Sequence, residues 1–383
     1  MIIILLALLL LFCPALQAQD AQLAALRATV LSLRPHADER RQTRDATPEL
    51  TVAKHQLRDW VESHLTTFAE TGDETAIAEE LRNGLRDSQL FCEELKKCNL
   101  SALGFLDEVL VVREREFLTI QTAVGIWCGY DYSAYVYRWS GVRWQRIWEN
   151  EQNTYTEKNY LPQIIYAVHI SAPDEKGNRL LLTLGSRPGC SSGYQPVYYR
   201  VWRMNARYET QKPLLDGTEV ANIGGYPPVQ GQVLPDDVLI EFTVGGTGYG
   251  ETHRAVRHFE VRDGRARQVD PIAITPRDFV EEWLSAPWTE SAARSESPSL
   301  KQWHAKLHRD DMMGDFPDPA MRCTTGMGLW QIATHLKDGP KTYYLVRFKE
   351  PYYFTMAGIS DRPYPDCTIA DPKGDEHLPL FER

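Results

Sequence analysis

Few residue groups in this chain have the types and spacing that chemistry needs. The segment Gly245-Gly246-Thr247-Gly248-Tyr249-Gly250-Glu251-Thr252 has the glycine spacing of a phosphate-binding loop. Such a loop requires a Lys beside the hydroxyl residue to meet the phosphates. Glu251 stands there instead, and a carboxylate repels that ligand. Residues 253–261 then alternate as a strand, so no helix N-terminus receives an anion. Both features argue against nucleotide binding.

His304 and His308 lie one helical turn apart and form a weak metal-ligand pair, followed by Asp310, Asp311 and Asp315. No Glu follows the first His as in a zincin. Lys301, Lys306 and Arg309 mark an exposed polar helix face, so no metal is expected. His253 and His258 are five positions apart on a strand and face opposite ways. Ser191-Ser192-Gly193 follows Cys190 without a placed His and Asp, which gives no hydrolase triad. The acidic pairs Asp236-Asp237, Glu281-Glu282 and Asp310-Asp311 are adjacent in sequence. A glycosidase needs two acids about 5–10 Å apart across a sugar, and adjacency does not supply that.

With no catalytic constellation and no cofactor motif, the sequence points to non-catalytic binding or scaffolding outside the cytoplasm. The ligand class left open is a glycan or a peptide. The alternative is an extracytoplasmic hydrolase acting on polysaccharide or peptide. The candidate ligand-binding residues sit in three Gly-containing loops at 125–134, 185–196 and 244–253. They are Trp127, Tyr130, Asp131, Arg187, Tyr194, Tyr249, Glu251 and His253. Binding groups commonly sit on loops held by a rigid scaffold. The competing reading is that the glycines turn the chain while the aromatics cover a sheet core.

Those loops belong to a repeating pattern. Tyr135, Tyr137 and Trp139 share one face of an extended segment, and Val136 and Arg138 share the other. Ser140-Gly141 turns the chain into a second strand. Tyr198 and Trp202 repeat the offsets of Tyr135 and Trp139 about 60 residues later, a spacing typical of a several-stranded repeat. A third copy, residues 238–261, is weaker. The expected fold is therefore mixed and mainly β. Three four-stranded antiparallel repeats near 103–150, 162–213 and 227–272 form a propeller-like array. A sandwich, or a partial propeller completed by C-terminal strands, is the alternative.

Helical periodicity flanks the array. Residues 20–34 read as a helix, and Thr47-Pro48-Glu49 opens another with Val52, Leu57, Trp60, Val61, Leu65 and Phe68 on one stripe. Residues 74–97 suggest a third helix, loosened at Asn83-Gly84. Thr275-Pro276-Arg277-Asp278 starts a helix in the C-terminal part, residues 300–311 form another, and three strands follow. The tail from Ser360 is expected to lie loosely on the surface. The domains are then a signal peptide at 1–18, a helical segment at 19–100, a β-repeat domain at 101–275 and an α+β part at 276–383.

Residues 2–12 form an apolar run of signal-peptide length, with Leu16-Gln17-Ala18 before a cleavage point. The mature chain is expected to be soluble and secreted or periplasmic. The net charge of −10 and the lack of a basic run argue against nucleic acid. Apart from Cys13, six cysteines remain, an even number that suggests disulfides in an exported chain. The expected pairs are Cys92–Cys98, Cys128–Cys190 and Cys323–Cys367. The first requires the helix to end around Lys96-Lys97. Asn99-Leu100-Ser101 is a glycosylation sequon.

Overall fold

The computed structural model describes residues 19–33, 47–87, 90, 106–126, 129–155, 162–187, 194–210, 212–222, 229–245, 252–307, 318–326, 328–335, 340–349 and 352–371. Expectations for the signal segment, the sequon, Cys92, Cys98, Cys128 and Cys190 lie outside these residues. The described part is mainly β, with three antiparallel sheets and a few helices. It forms two compact units. One is drawn from Met1–Val168, Gly185–Ser192 and Met204–Thr210, the other from His169–Leu184, Gly193–Arg203 and Gln211–Arg383. No helix among the described residues is long and apolar enough to cross a membrane.

In the first unit, helix α1 spans residues 19–33 and buries Leu26, Val30 and Leu33. Helix α2, Thr47–Leu65, begins at the expected Thr-Pro-Glu and buries Leu50, Leu57, Trp60, Val61 and Leu65. Val52 is an exception to the expected stripe and is 46 % exposed. Counting in threes and fours from Leu50 reaches Ala53, Lys54 and Leu57, and those positions face inward instead. Helix α3, Glu74–Asp87, runs unbroken through Asn83-Gly84. Gly84 is a point of close approach: a Cβ there would lie 2.8 Å from Cζ2 of Trp60.

The first sheet matches the first expected repeat. Strands β1 (Leu106–Glu114), β2 (Phe117–Ile126), β3 (Gly129–Trp139) and β4 (Trp144–Asn150) pair in chain order. Ser140 N donates to the Arg143 carbonyl (2.9 Å), and Gly141 adopts φ +90°, closing the expected turn. Both faces of β2 are covered, because it is buried along its whole length. Tyr135, Tyr137 and Trp144 join Trp60 and Leu57 in one core, so these aromatics fill the sheet interior.

The second and third expected quartets are joined. Strands β5 (Ile164–Ile170), β6 (Arg179–Ser186), β7 (Tyr194–Met204), β8 (Leu215–Asn222), β9 (Val229–Val233), β10 (Asp237–Gly245), β11 (Thr252–Arg262) and β12 (Arg265–Val269) form one sheet. Its order is β12-β11-β10-β8-β7-β6-β5, with β9 on β10. The link is the pairing of Val244 on β10 with Ala221 on β8.

Within this sheet Tyr199 lies directly opposite Gly217. The ring occupies the space a side chain would need: a Cβ at Gly217 would fall 2.1 Å from Cζ of Tyr199. The ring also packs on Phe242 (5.6 Å between centroids) and Phe259 (5.9 Å). Gly217→Ala is expected to expel Tyr199 and lower stability by about 1–3 kcal/mol, as overpacking does. Urea unfolding checks this, and a change under about 0.5 kcal/mol, ordinary for a surface site, would show that the ring is not fixed there.

The second unit also holds helices α4 (Pro276–Ser285), α5 (Trp288–Ser291) and α6 (Leu300–Leu307). Strands β13 (Met321–Cys323), β14 (Leu329–His335), β15 (Lys341–Lys349), β16 (Tyr353–Ser360) and β17 (Cys367–Ala370) make the third sheet, in the order β16-β15-β14-β13-β17. The start of α4 follows its sequence signature. Thr275 Oγ1 accepts the Asp278 amide, Asp278 accepts the Thr275 amide, and Pro276 occupies the first turn. Phe279, Val280 and Trp283 of α4 pack with Leu300, Ile332, Tyr344, Phe354 and Met356 in the core.

The tail is more ordered than its composition suggested. Cys367–Ala370 adds a strand to β13, and Cys323 is disulfide-bonded to the directly opposite Cys367, as expected. Tyr364 N donates to Gln331 Oε1 (2.6 Å). Backbone pairing decides this segment, and apolar periodicity gives no sign of it.

Candidate functional site

Two buried charge clusters dominate the described residues, one in each unit. In the first unit, Lys54 lies on the apolar face of α2 and Asp131 on β3, and both side chains are fully buried. Lys54 Nζ donates to Asp131 Oδ2, to Tyr155 OH (2.6 Å) and to the Gln152 carbonyl (2.8 Å). Tyr155 OH donates to the same carboxylate oxygen (2.8 Å), and Gln163 N donates to Oδ1 (2.6 Å). Burial, reinforced by the Asp131 charge, holds the Tyr155 pKa well above the usual phenol value. All three Lys54 donors and both Asp131 oxygens are engaged. The arrangement ties α2 to β3 and to Gln152, Tyr155 and Gln163.

The second cluster lines a cavity. His253 enters from β11, four positions before Arg257 on the same strand. Glu281 and Glu282 come from α4, and Glu219 from β8. Asp278 fixes the height of α4 against β11 by accepting the Arg254 amide (3.1 Å). The helix then presents both glutamates to one imidazole. His253 Nε2 lies 2.9 Å from Glu282 Oε1, and Nδ1 lies 3.3 Å from Glu281 Oε2. The second contact is an ion pair without hydrogen-bond direction. Arg257 bridges two carboxylates, with Nε to Glu219 (2.8 Å) and Nη1 to Glu282 Oε2 (2.7 Å).

These contacts fix the protonation states. Burial alone would lower the His253 pKa, but the close contacts with the Glu281 and Glu282 carboxylates outweigh it and raise it to about 10. Burial pushes the Glu282 carboxyl up, yet Arg257 and His253 bring it down to about 2. His253 is therefore an imidazolium and Glu282 a carboxylate at neutral pH. Neither is poised to exchange a proton there, as a general acid or base must be.

The cavity beside the cluster has a volume of about 480 Å³. Glu219, His253, Arg257 and Glu282 line it, together with Gln268, Glu290 and Arg294. Arg294 Nε donates to Asp270 (2.7 Å). A concave polar site of this volume is within the range of small-molecule pockets.

Of the residues singled out from sequence, His253 is a cavity residue. Tyr130 and Asp131 lie on β3 in the first unit; Tyr130 is half-buried and Asp131 is enclosed with Lys54. Arg187 is half-buried in the first unit. Tyr194 begins β7 in the second. Trp127, Tyr249, Glu251 and His308 lie outside the described residues. His304 does not stand on an exposed polar face. It is 3 % exposed, and its Nε2 is 3.0 Å from the Ala286 carbonyl and 3.2 Å from that of Trp283. Leu300 and Leu307 share its inward face, because positions four before and three after meet the same core. No group of three metal-ligating side chains occurs among the described residues.

Sequence reasoning missed Glu219, Arg257 and Arg294, and took Glu281-Glu282 only as neighbours in the chain. The available signal was the capped start of α4, which places two acids in the middle of a short buried helix.

No protein-family model matches this chain, and no curated protein matches it. Among solved structures, a thermostable family-43 glycoside hydrolase aligns over 73% of this chain and 83% of its own at 10% identity, with a TM-score of 0.27. A GH32 beta-fructofuranosidase of Bombyx mori aligns over 66% of this chain and 50% of its own at 10% identity, with a TM-score of 0.25. Likeness at this level carries no argument about fold or activity.

Proposed function

We propose that this chain is an exported binding or scaffold protein that takes a small polar ligand into the cavity beside His253, Arg257 and Glu282. One observation carries the reading: His253, Glu282, Arg257 and Glu219 interlock in a chain of ion pairs of 2.7–2.9 Å along the lining of a cavity. A catalytic wall would hold a group able to exchange a proton, whereas this one offers a constant pattern of donors and acceptors. The Cys323–Cys367 disulfide and the signal-like N-terminus support an extracytoplasmic setting. A propeller-like disposition of the β-repeats belongs to the same proposal, as does a glycan or peptide as ligand.

Val220 provides the test. It lines the cavity, is 62 % exposed and takes no part in the charge network. Val220→Trp places a bulky ring at the edge of the cavity and is expected to leave the network intact. For any glycan or peptide found to bind the full chain, this variant is expected to raise Kd at least tenfold, about 1.4 kcal/mol, with an unchanged thermal midpoint. Hydrolysis of a polysaccharide or peptide that Glu282→Gln abolishes would establish the hydrolase alternative instead.

A further inference from the structure

We infer that the cavity recognises a neutral, polyhydroxylated ligand, a sugar-like polyol of one or two rings, and discriminates against anionic ones. The inference rests on the cavity reading above and concerns which chemistry the cavity accepts.

The argument starts from what the ion pairs leave over. A guanidinium has five N–H donors and a carboxylate about four acceptor positions. Arg257 spends Nε on Glu219 and Nη1 on Glu282 and the Val256 carbonyl. Its Nη2 donors take no partner among the described residues. Glu219 is engaged through Oε1, which leaves Oε2 as an acceptor. Arg294 uses Nε on Asp270 and keeps its Nη donors. Glu290 is exposed at the mouth, and Gln268 adds an amide that both donates and accepts. The lining therefore keeps unspent donors and acceptors, and those of Arg257, Glu219 and Arg294 are held by the ion pairs behind them.

Charge then decides among ligands. The lining carries the carboxylates of Glu219, Glu282 and Glu290 and the cations His253, Arg257 and Arg294. An anion meets the carboxylates of Glu219, Glu282 and Glu290, while the cations are already spent: His253 on Glu281 and Glu282, Arg257 on Glu219 and Glu282, and Arg294 on Asp270. It would lose hydration without a free counter-charge. A hydroxyl group both donates and accepts, so one hydroxyl can take an Arg257 Nη2 proton while donating to Glu219 Oε2. Vicinal hydroxyls extend that pattern to Gln268, Glu290 and Arg294. The volume of about 480 Å³ suits one or two rings.

The experiment is calorimetric titration of the full chain with D-glucose, D-galactose, D-xylose, maltose, cellobiose and myo-inositol. D-galacturonate serves as the anionic congener. The expected result is saturable binding of at least one neutral member, at least tenfold tighter than galacturonate. Val220→Trp should abolish it. Glu290→Ala should weaken it about tenfold without changing the thermal midpoint, and should narrow the margin against galacturonate by removing a repelling carboxylate.

Binding of galacturonate in preference to every neutral member, lost in Val220→Trp, would overturn the neutral-polyol inference while the cavity reading stood. Neutral binding unaffected by both Val220→Trp and Glu290→Ala would overturn the cavity reading itself. Failure of every neutral member to bind would also overturn the inference.

Discussion

Lys54→Met is expected to lower stability by about 3–5 kcal/mol, the usual consequence of leaving a buried charge without its partner. The side chains are similar in length, so the change removes the charge and donors and leaves most of the packing. Asp131 would retain Gln163 N and Tyr155 OH but lose its counter-ion in a site with no access to water. The double variant Lys54→Met/Asp131→Leu removes both charges and should recover most of the loss, because apolar replacement of a whole buried pair is often neutral or better. Urea unfolding of the four species forms a double-mutant cycle. A loss below about 1 kcal/mol for Lys54→Met would place Asp131 in contact with solvent, as a ligand-binding role for it requires. A large loss with recovery assigns the pair to holding α2 against β3.

Much of the fold was legible because local periodicity and local chemistry agree with it. The strands at Leu106–Glu114, Phe117–Ile126 and Asp237–Gly245 follow from apolar and β-branched runs, and the Thr275–Asp278 box announces α4. The cysteines of the C-terminal part are directly opposite on neighbouring strands. What escaped notice depends on contacts distant in sequence. The junction of Val244 with Ala221 merges two strand quartets, which no repeat pattern encodes. Lys54 did leave a trace. It sits four positions after Leu50 and three before Leu57, on an apolar stripe, where a lysine is tolerated only with a buried partner. The partner, Asp131, was visible only as a polar residue in a Gly-containing loop. His253 with Glu281 and Glu282 is similar: each residue was noticed, but α4 must fold back on β11 before the three meet.

That meeting predicts a specific pH dependence. The His253 pKa rises from 6.5 to about 10 in the folded chain. A raised pKa contributes stability that is fully present below the unfolded value and is lost as pH climbs through the folded value. The His253 contribution is thus intact at pH 6 and fades between about pH 7 and 10. Glu282 behaves in the opposite sense. Its pKa falls from 4.5 to about 2, so its contribution is present above 4.5 and is lost as pH drops toward 2. The groups facing His253 are Glu281 and Glu282 on α4, with Arg257 on β11 and Glu219 on β8 linked through Glu282. Because His253 and Glu282 are partners, their contributions do not add. His253→Gln should therefore be less stable than the native chain at pH 6–7, by a few kcal/mol on the scale of about 1.4 kcal/mol per pKa unit. The two unfolding curves should converge as pH approaches 10. Glu282→Gln should lower the His253 pKa, leaving Glu281 as its one carboxylate partner, and so begin the alkaline loss at a lower pH. Imidazole proton shifts give the direct readout: His253 should remain protonated at pH 8 in the native chain and titrate earlier in Glu282→Gln. Parallel stability profiles for native and His253→Gln chains from pH 6 to 10 would mean that the imidazole is not held as a cation, and would return it to the pool of groups able to exchange a proton.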